Sequence, residues 1–144
     1  MRLGFVIPVV AIALSGCGKD TTEPAANISV QQTKCPAKTA QIEIMDGSAR
    51  TVCGCIEAPG TPLALNQKLS CTVVAGTTVV FGFQGNQISH QILSRGTPAF
   101  ASSPPFDPTD DMSAPAHAVK FDETGTYEYV DAYGSFPAGK ITVL

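Results

Sequence analysis

Apolar and polar residues alternate with a period of two along most of the chain. Gln41-Ile42-Glu43-Ile44 alternates and runs into Asp46-Gly47, a dipeptide suited to a two-residue hairpin, with Ala49 to Cys53 as the return strand. Residues 56–68 read as a loop around Pro59-Gly60 and Pro62. Leu69 to Val74 is a strand, Ala75-Gly76 a turn, and Thr77 to Phe83 a further strand rich in β-branched and aromatic residues. Residues 84–87 turn the chain and Ile88 to Ser94 returns it. Residues 95–115 show no period and hold five prolines and three aspartates, a length of irregular chain that calls for a reason. Ala116 to Phe121, a turn at Asp122–Gly125, Thr126 to Asp131, and Gly139 to Leu144 complete the pattern. Eight or nine short strands with regular turn signals predict an all-β antiparallel sandwich or barrel.

The first residues break this pattern. Arg2 is followed by an apolar run from Leu3 to Leu14, too short for a membrane-spanning helix, which needs about 20 residues. Residues 1–16 therefore read as an export signal. The exit, Leu14-Ser15-Gly16-Cys17, resembles the lipobox of bacterial lipoproteins, which implies cleavage before Cys17 and lipid on its thiol and new amino group. Gly18 in the next position resembles sorting to the periplasmic face of the outer membrane. Residues 17–26 read as a polar, lipidated tether and residues 27–144 as the folded domain.

Composition narrows the partners. Lys and Arg number 9 against 12 Asp and Glu, for a net charge of −3, and loss of Arg2 makes the mature chain more acidic still. An acidic domain without a basic stripe excludes nucleic acid. With Cys17 lipidated, Cys35, Cys53, Cys55 and Cys71 remain. An even count in an exported domain predicts two disulfides. A bridge between Cys53 and Cys55 would be strained. Two pairings stay open: Cys35–Cys53 with Cys55–Cys71, or Cys35–Cys55 with Cys53–Cys71. Cys53-Gly54-Cys55 would alternatively chelate Cu(I) or zinc, but its spacing is not the usual one and the oxidising compartment favours disulfides.

The second half, Leu69 to Leu144, resembles the cupredoxin family of small copper proteins related to plastocyanin and azurin. Val74-Ala75-Gly76-Thr77-Thr78-Val79-Val80-Phe81 is similar to the strand pair that opens their core, and Ser89-His90-Gln91-Ile92 to the segment with their first copper histidine. Phe121 to Tyr129, closing with Gly139-Lys140-Ile141-Thr142-Val143, resembles the strands around their ligand loop. The resemblance implies a Greek-key β-sandwich, here with a disulfide-stapled N-terminal extension. It also implies a copper site, and there the chain departs. Asp131 stands where the ligand cysteine is expected, Ala132 to Phe136 contain no histidine, and no methionine lies near Pro137. A blue site needs a thiolate and two histidines, so blue-copper electron transfer does not follow from the fold.

A different site is predicted by the strand directions. They place the turn before His90, the start of the strand at His117 and the end of the strand at Asp131 at one pole. Pairing Phe121 with Tyr127 sets His117 opposite Asp131, where Cβ atoms would be about 5 Å apart. His90, His117 and Asp131 would form a two-histidine, one-carboxylate cluster, with Met112 as a further candidate. Such donors suit Cu(II), Zn(II) or Fe(II), and copper is the expected cofactor. The opposing reading makes His90 a hydrogen-bonded relic and His117–Asp131 an ordinary cross-strand pair. Asp107, Asp110 and Asp111, set among prolines, read as a solvated turn region rather than a calcium site. No hydrolase elbow, phosphate loop or dinucleotide fingerprint is present. Two functions follow: an envelope lipoprotein that handles metal or assists a redox protein through a non-blue site, or a metal-free binding or structural module on the same fold. An enzyme using an open coordination position ranks third.

Overall fold

The computed structural model describes residues 34–58, 60, 63–64, 67–83, 85–134 and 138–144. The expected export signal and tether, with Cys17, lie outside the described residues.

Among the described residues nine strands form: β1 (Thr39–Met45), β2 (Ser48–Cys53), β3 (Leu63–Ala64), β4 (Leu69–Val73), β5 (Thr77–Gly82), β6 (Ile92–Arg95), β7 (Ala116–Phe121), β8 (Gly125–Asp131) and β9 (Gly139–Val143). They make a five-stranded sheet in the order β3-β2-β1-β5-β7 and a four-stranded sheet in the order β4-β9-β8-β6. The all-β sandwich expected from the sequence is thus formed. Both sheets are mixed, because β1 runs parallel to β5 and β4 parallel to β9. Asp46-Gly47 makes the expected hairpin, with Met45 opposite Ser48 and Gly47 at φ 76°.

Period two explains the core. Along β1, Ala40, Ile42 and Ile44 turn inward; along β5, Val79 and Phe81; along β8, Tyr127, Tyr129 and then Asp131. Asp131 is therefore buried because it continues an aromatic inward row. Residues 96–115 fill the gap between the edge strands β6 and β7. Phe100 enters the core against Phe81, Phe121 and Tyr127, and Ser103 N–H donates to the Ile92 carbonyl at 2.9 Å. The irregular length has a structural reason: it covers an edge and closes one side of the sandwich.

One expectation is corrected. β7 and β8 do not pair as a hairpin. β7 joins β5, with His117 opposite Phe81, while β8 joins β9 and β6, with Asp131 opposite Ile92. The connection at residues 122–124 crosses from one sheet to the other. Phe121 and Tyr127 both point into the core from opposing sheets and meet edge to face at 4.8 Å. A short turn serves a crossover as readily as a hairpin when both flanking aromatics can be buried that way.

The disulfides are Cys35–Cys53 and Cys55–Cys71. The first ties the segment before β1 to the end of β2. The second ties the chain after β2, in the larger sheet, to β4 in the smaller one.

Candidate functional site

The strand directions put the ends of β1, β5 and β8 and the starts of β6 and β7 at one pole. Three polar side chains meet there: Asp46 from the β1–β2 hairpin, His90 from the chain before β6, and Asp131 from the end of β8.

His90 is fully buried. Its ring lies nearly parallel to Phe83, with centroids 6.4 Å apart, and its backbone makes a two-bond bridge with Phe106. Nδ1 lies 3.2 Å from Asp131 Oδ2, and Nε2 lies 3.3 Å from Asp46 Oδ1. Asp131 Oδ1 accepts the Gln91 N–H at 2.9 Å and the Tyr133 N–H at 3.2 Å. Asp46 Oδ2 accepts the Gln87 N–H at 2.9 Å, and its Oδ1 accepts the Ile88 N–H at 3.4 Å. The Gln87 N–H, aided by His90 and Ile88 and opposed by partial desolvation, holds the Asp46 carboxyl below its ordinary value. The result is a carboxylate–imidazole–carboxylate chain that spans the two sheets.

An ionised Asp131 has only acceptor oxygens, so His90 Nδ1 is the donor in that contact. Asp46 also faces the ring as an acceptor, and the contact at Nε2 is attractive when that nitrogen carries hydrogen too. In chemical terms the chain positions one imidazole between two anions.

The expected cluster of His90, His117 and Asp131 divides. His90 and Asp131 meet. His117 Nε2 donates instead to the Ala101 carbonyl at 2.8 Å, an arrangement that follows from the β5–β7 pairing. Met112 is 88% exposed, and its N–H donates to Asp110 Oδ1 at 2.9 Å. Asp107 Oδ1 accepts both the N–H and the hydroxyl of Thr109, as a turn-capping aspartate does. Among the described residues, no three His, Cys, Asp or Glu side chains are placed to share one metal ion. The donors for a blue copper centre do not fit either: Cys35, Cys53, Cys55 and Cys71 are spent in disulfides, which leaves no thiolate among the described residues. Asp46 was not singled out by the sequence. Asp46-Gly47 signals a turn, and only the parallel pairing of β1 with β5 brings that turn to His90.

No family model matches the chain, and no curated protein matches it. Solved structures similar to it are cupredoxins. A purple cupredoxin from Nitrosopumilus maritimus is 23% identical, with a TM-score of 0.49 over 73% of this chain and 99% of that one. A reduced amicyanin with a tyrosine in place of one tryptophan is 17% identical, with a TM-score of 0.46 over 78% of this chain and 89% of that one. A Cu(I) amicyanin with an alanine in place of one methionine is 24% identical, with a TM-score of 0.40 over 54% of this chain and 71% of that one. The likeness is one of strand arrangement and says nothing about what this pole binds.

Proposed function

We propose that the chain is an exported, lipid-anchored envelope protein whose cupredoxin-like domain works as a metal-free binding module. One observation carries this reading: both ring nitrogens of the buried His90 face carboxylates, and Asp131 Oδ1 also accepts two backbone N–H groups. In the blue relatives a metal ties histidine to the neighbouring thiolate. In this chain a hydrogen bond makes the corresponding tie between His90 and Asp131. The pole then keeps its shape without a metal and offers its exterior, with Met112, Tyr133 and the aspartates of residues 107–111, to an envelope partner.

A second reading has one observation in its favour. A carboxylate on one ring nitrogen is the usual way to orient a metal-binding imidazole. Asp131 does this at Nδ1. Nε2 and Asp46 Oδ1, 3.3 Å apart, are spaced so that one ion at about 2.1 Å from each would reach both. Copper handling would then rest on His90 and Asp46, with Asp131 as support, in place of the set His90, His117, Asp131 and Met112.

Calorimetric titration of the purified protein with Cu(II), Cu(I) and Zn(II) decides between them. The metal-free reading expects no binding tighter than about millimolar, near −4 kcal/mol. A tight one-to-one complex, abolished by Asp46→Ala and His90→Ala, would establish the second reading instead.

A further inference from the structure

Six large hydrophobic residues are exposed among those described: Ile56, Val74, Ile88, Met112, Tyr133 and Leu144. The topology sorts them into two groups. Ile88, Met112 and Tyr133 lie toward the His90 pole. Ile56, Val74 and Leu144 gather at the opposite pole, where β1 and β5 begin and β2, β4 and β9 end. There, Leu144 N–H donates to the Val73 carbonyl, Ala75 N–H donates to the Leu144 carbonyl, and Ile56 N–H donates to the Thr72 carbonyl at 2.8 Å. These bonds set the three residues around the end of β4, Ile56 along one edge and Leu144 along the other.

The same pole carries an open groove of about 650 Å³, with Ile56, Val73 and Val74 along it and Lys34 and Lys38 beside the disulfides at its rim. Lys38 holds a left-handed backbone, φ 55°, that few non-glycine residues adopt. The acidic groups of this pole are largely engaged: Glu57 with Thr72, and Asp122 with Lys120 at 2.6 Å. Among the described residues, Glu123 is the remaining acidic side chain there. Among the described residues neither Lys34 nor Lys38 is in an ion pair.

The described chain begins at Lys34, at the lip of this groove. Sixteen residues separate Lys34 from Cys17, the expected site of lipid attachment. Lys34, where the described residues begin, thus lies at the pole that exposes Ile56, Val74 and Leu144, with Lys38 beside it along the groove.

We propose that this pole rests on the phospholipid surface to which the chain is anchored. Ile56, Val74 and Leu144 enter the interfacial region while Lys34 and Lys38 meet lipid phosphates. The domain then stands upright, and the His90 pole faces away from the bilayer toward soluble partners. This orientation rests on the lipid-anchor reading of Cys17.

The chain contains no tryptophan, so one introduced tryptophan reports its own surroundings. The full lipidated chain carrying Val74→Trp or Met112→Trp is reconstituted into vesicles of phosphatidylethanolamine and phosphatidylglycerol with brominated acyl chains. Val74→Trp should give blue-shifted emission, quenched about twofold or more, and Met112→Trp should give water-like, unquenched emission. Equal behaviour of the two overturns the proposal. A second measurement separates docking from anchoring. The mature chain from residue 17 carrying Cys17→Ser is sedimented with the same vesicles, with and without Ile56→Asp and Val74→Asp, the fold being checked by the absence of free thiols. The two aspartates should lower the bound fraction about tenfold. Binding that ignores them, or no binding with dimers in light scattering, rejects lipid as the occupant. Mass spectrometry of Cys17 in native protein independently tests the anchor.

Discussion

Asp131 is the residue on which the His90 pole depends. Its side chain is buried at the end of β8 and receives three donors, the Gln91 and Tyr133 N–H groups and His90 Nδ1. Asn at this position keeps the volume but loses the charge and turns one acceptor into a donor. The Asp131→Asn variant should therefore lose about 2–4 kcal/mol of stability, since a buried partner is left unmatched. Asp46 makes the matching contact on the other ring nitrogen but is half in solvent, so Asp46→Asn should cost less than about 1 kcal/mol. Urea unfolding of the two variants at pH 7 checks this asymmetry, and equal losses would mean that the His90–Asp131 bond is not the tie. That His90 and Asp131 lie at one pole was legible in the sequence. His90 sits in a familiar motif, and Tyr127, Tyr129 and Asp131 share one face by period two. Asp46 and His117 were misjudged for a common reason. Side-chain alternation tells which face a residue occupies, but it does not tell which strand lies beside it.

At the scale of elements, the strands were readable, but beyond the β1–β2 hairpin their partners were not. The alternation located eight of the nine strands, missing only the two-residue β3, and it placed the start of β6 at Ile88 rather than at Ile92. The sheet edges explain features that alternation leaves blank. β4 is an edge strand, and its outer backbone is covered by the chain after Cys55. Ile56 N–H donates to the Thr72 carbonyl, while the Glu57 carboxylate accepts the Thr72 N–H and the Thr72 hydroxyl, both at 2.6 Å. A charged side chain thus occupies the place of a neighbouring strand and blocks pairing with another chain. Desolvation raises the Glu57 pKa, but the hydrogen bonds from Thr72 outweigh it and leave the carboxyl below its ordinary 4.5. A depressed folded value means that Glu57 stabilises the fold above its ordinary pKa and ceases to do so as pH falls through the lower, folded one. Because Glu57 keeps contact with water, Glu57→Gln should cost about 1 kcal/mol or less at pH 7. The gap between wild type and variant should shrink at pH 3. Urea midpoints at the two pH values test this, and a gap that stays constant would show that the charge is not what holds the edge.

For the whole molecule, the two disulfides decide where the domain can be stable. Each closes a loop of similar size, with sequence separations of 18 and 16, and each contributes about 3 kcal/mol on the chain-entropy account. A domain of this size has a net stability of about 5–15 kcal/mol, so losing both removes much or all of it. Their placement makes them unequal. Cys35–Cys53 ties a partly exposed cysteine to the end of β2. Cys55–Cys71 joins the larger sheet to the smaller one, and Cys71 is fully buried in the core. Alanine at both ends of Cys55–Cys71 adds a core cavity to the lost cross-link and frees the chain that covers the β4 edge. The Cys55→Ala, Cys71→Ala pair should thus be the costlier by about 1–2 kcal/mol, and full reduction should leave a protein that unfolds in mild urea. Denaturation of both double variants, with and without a phosphine reductant, measures each part. Should reduced wild type keep its midpoint, the core alone would be sufficient, and the need for an oxidising compartment would lose its physical basis. A large shift would make an oxidising compartment a condition of folding.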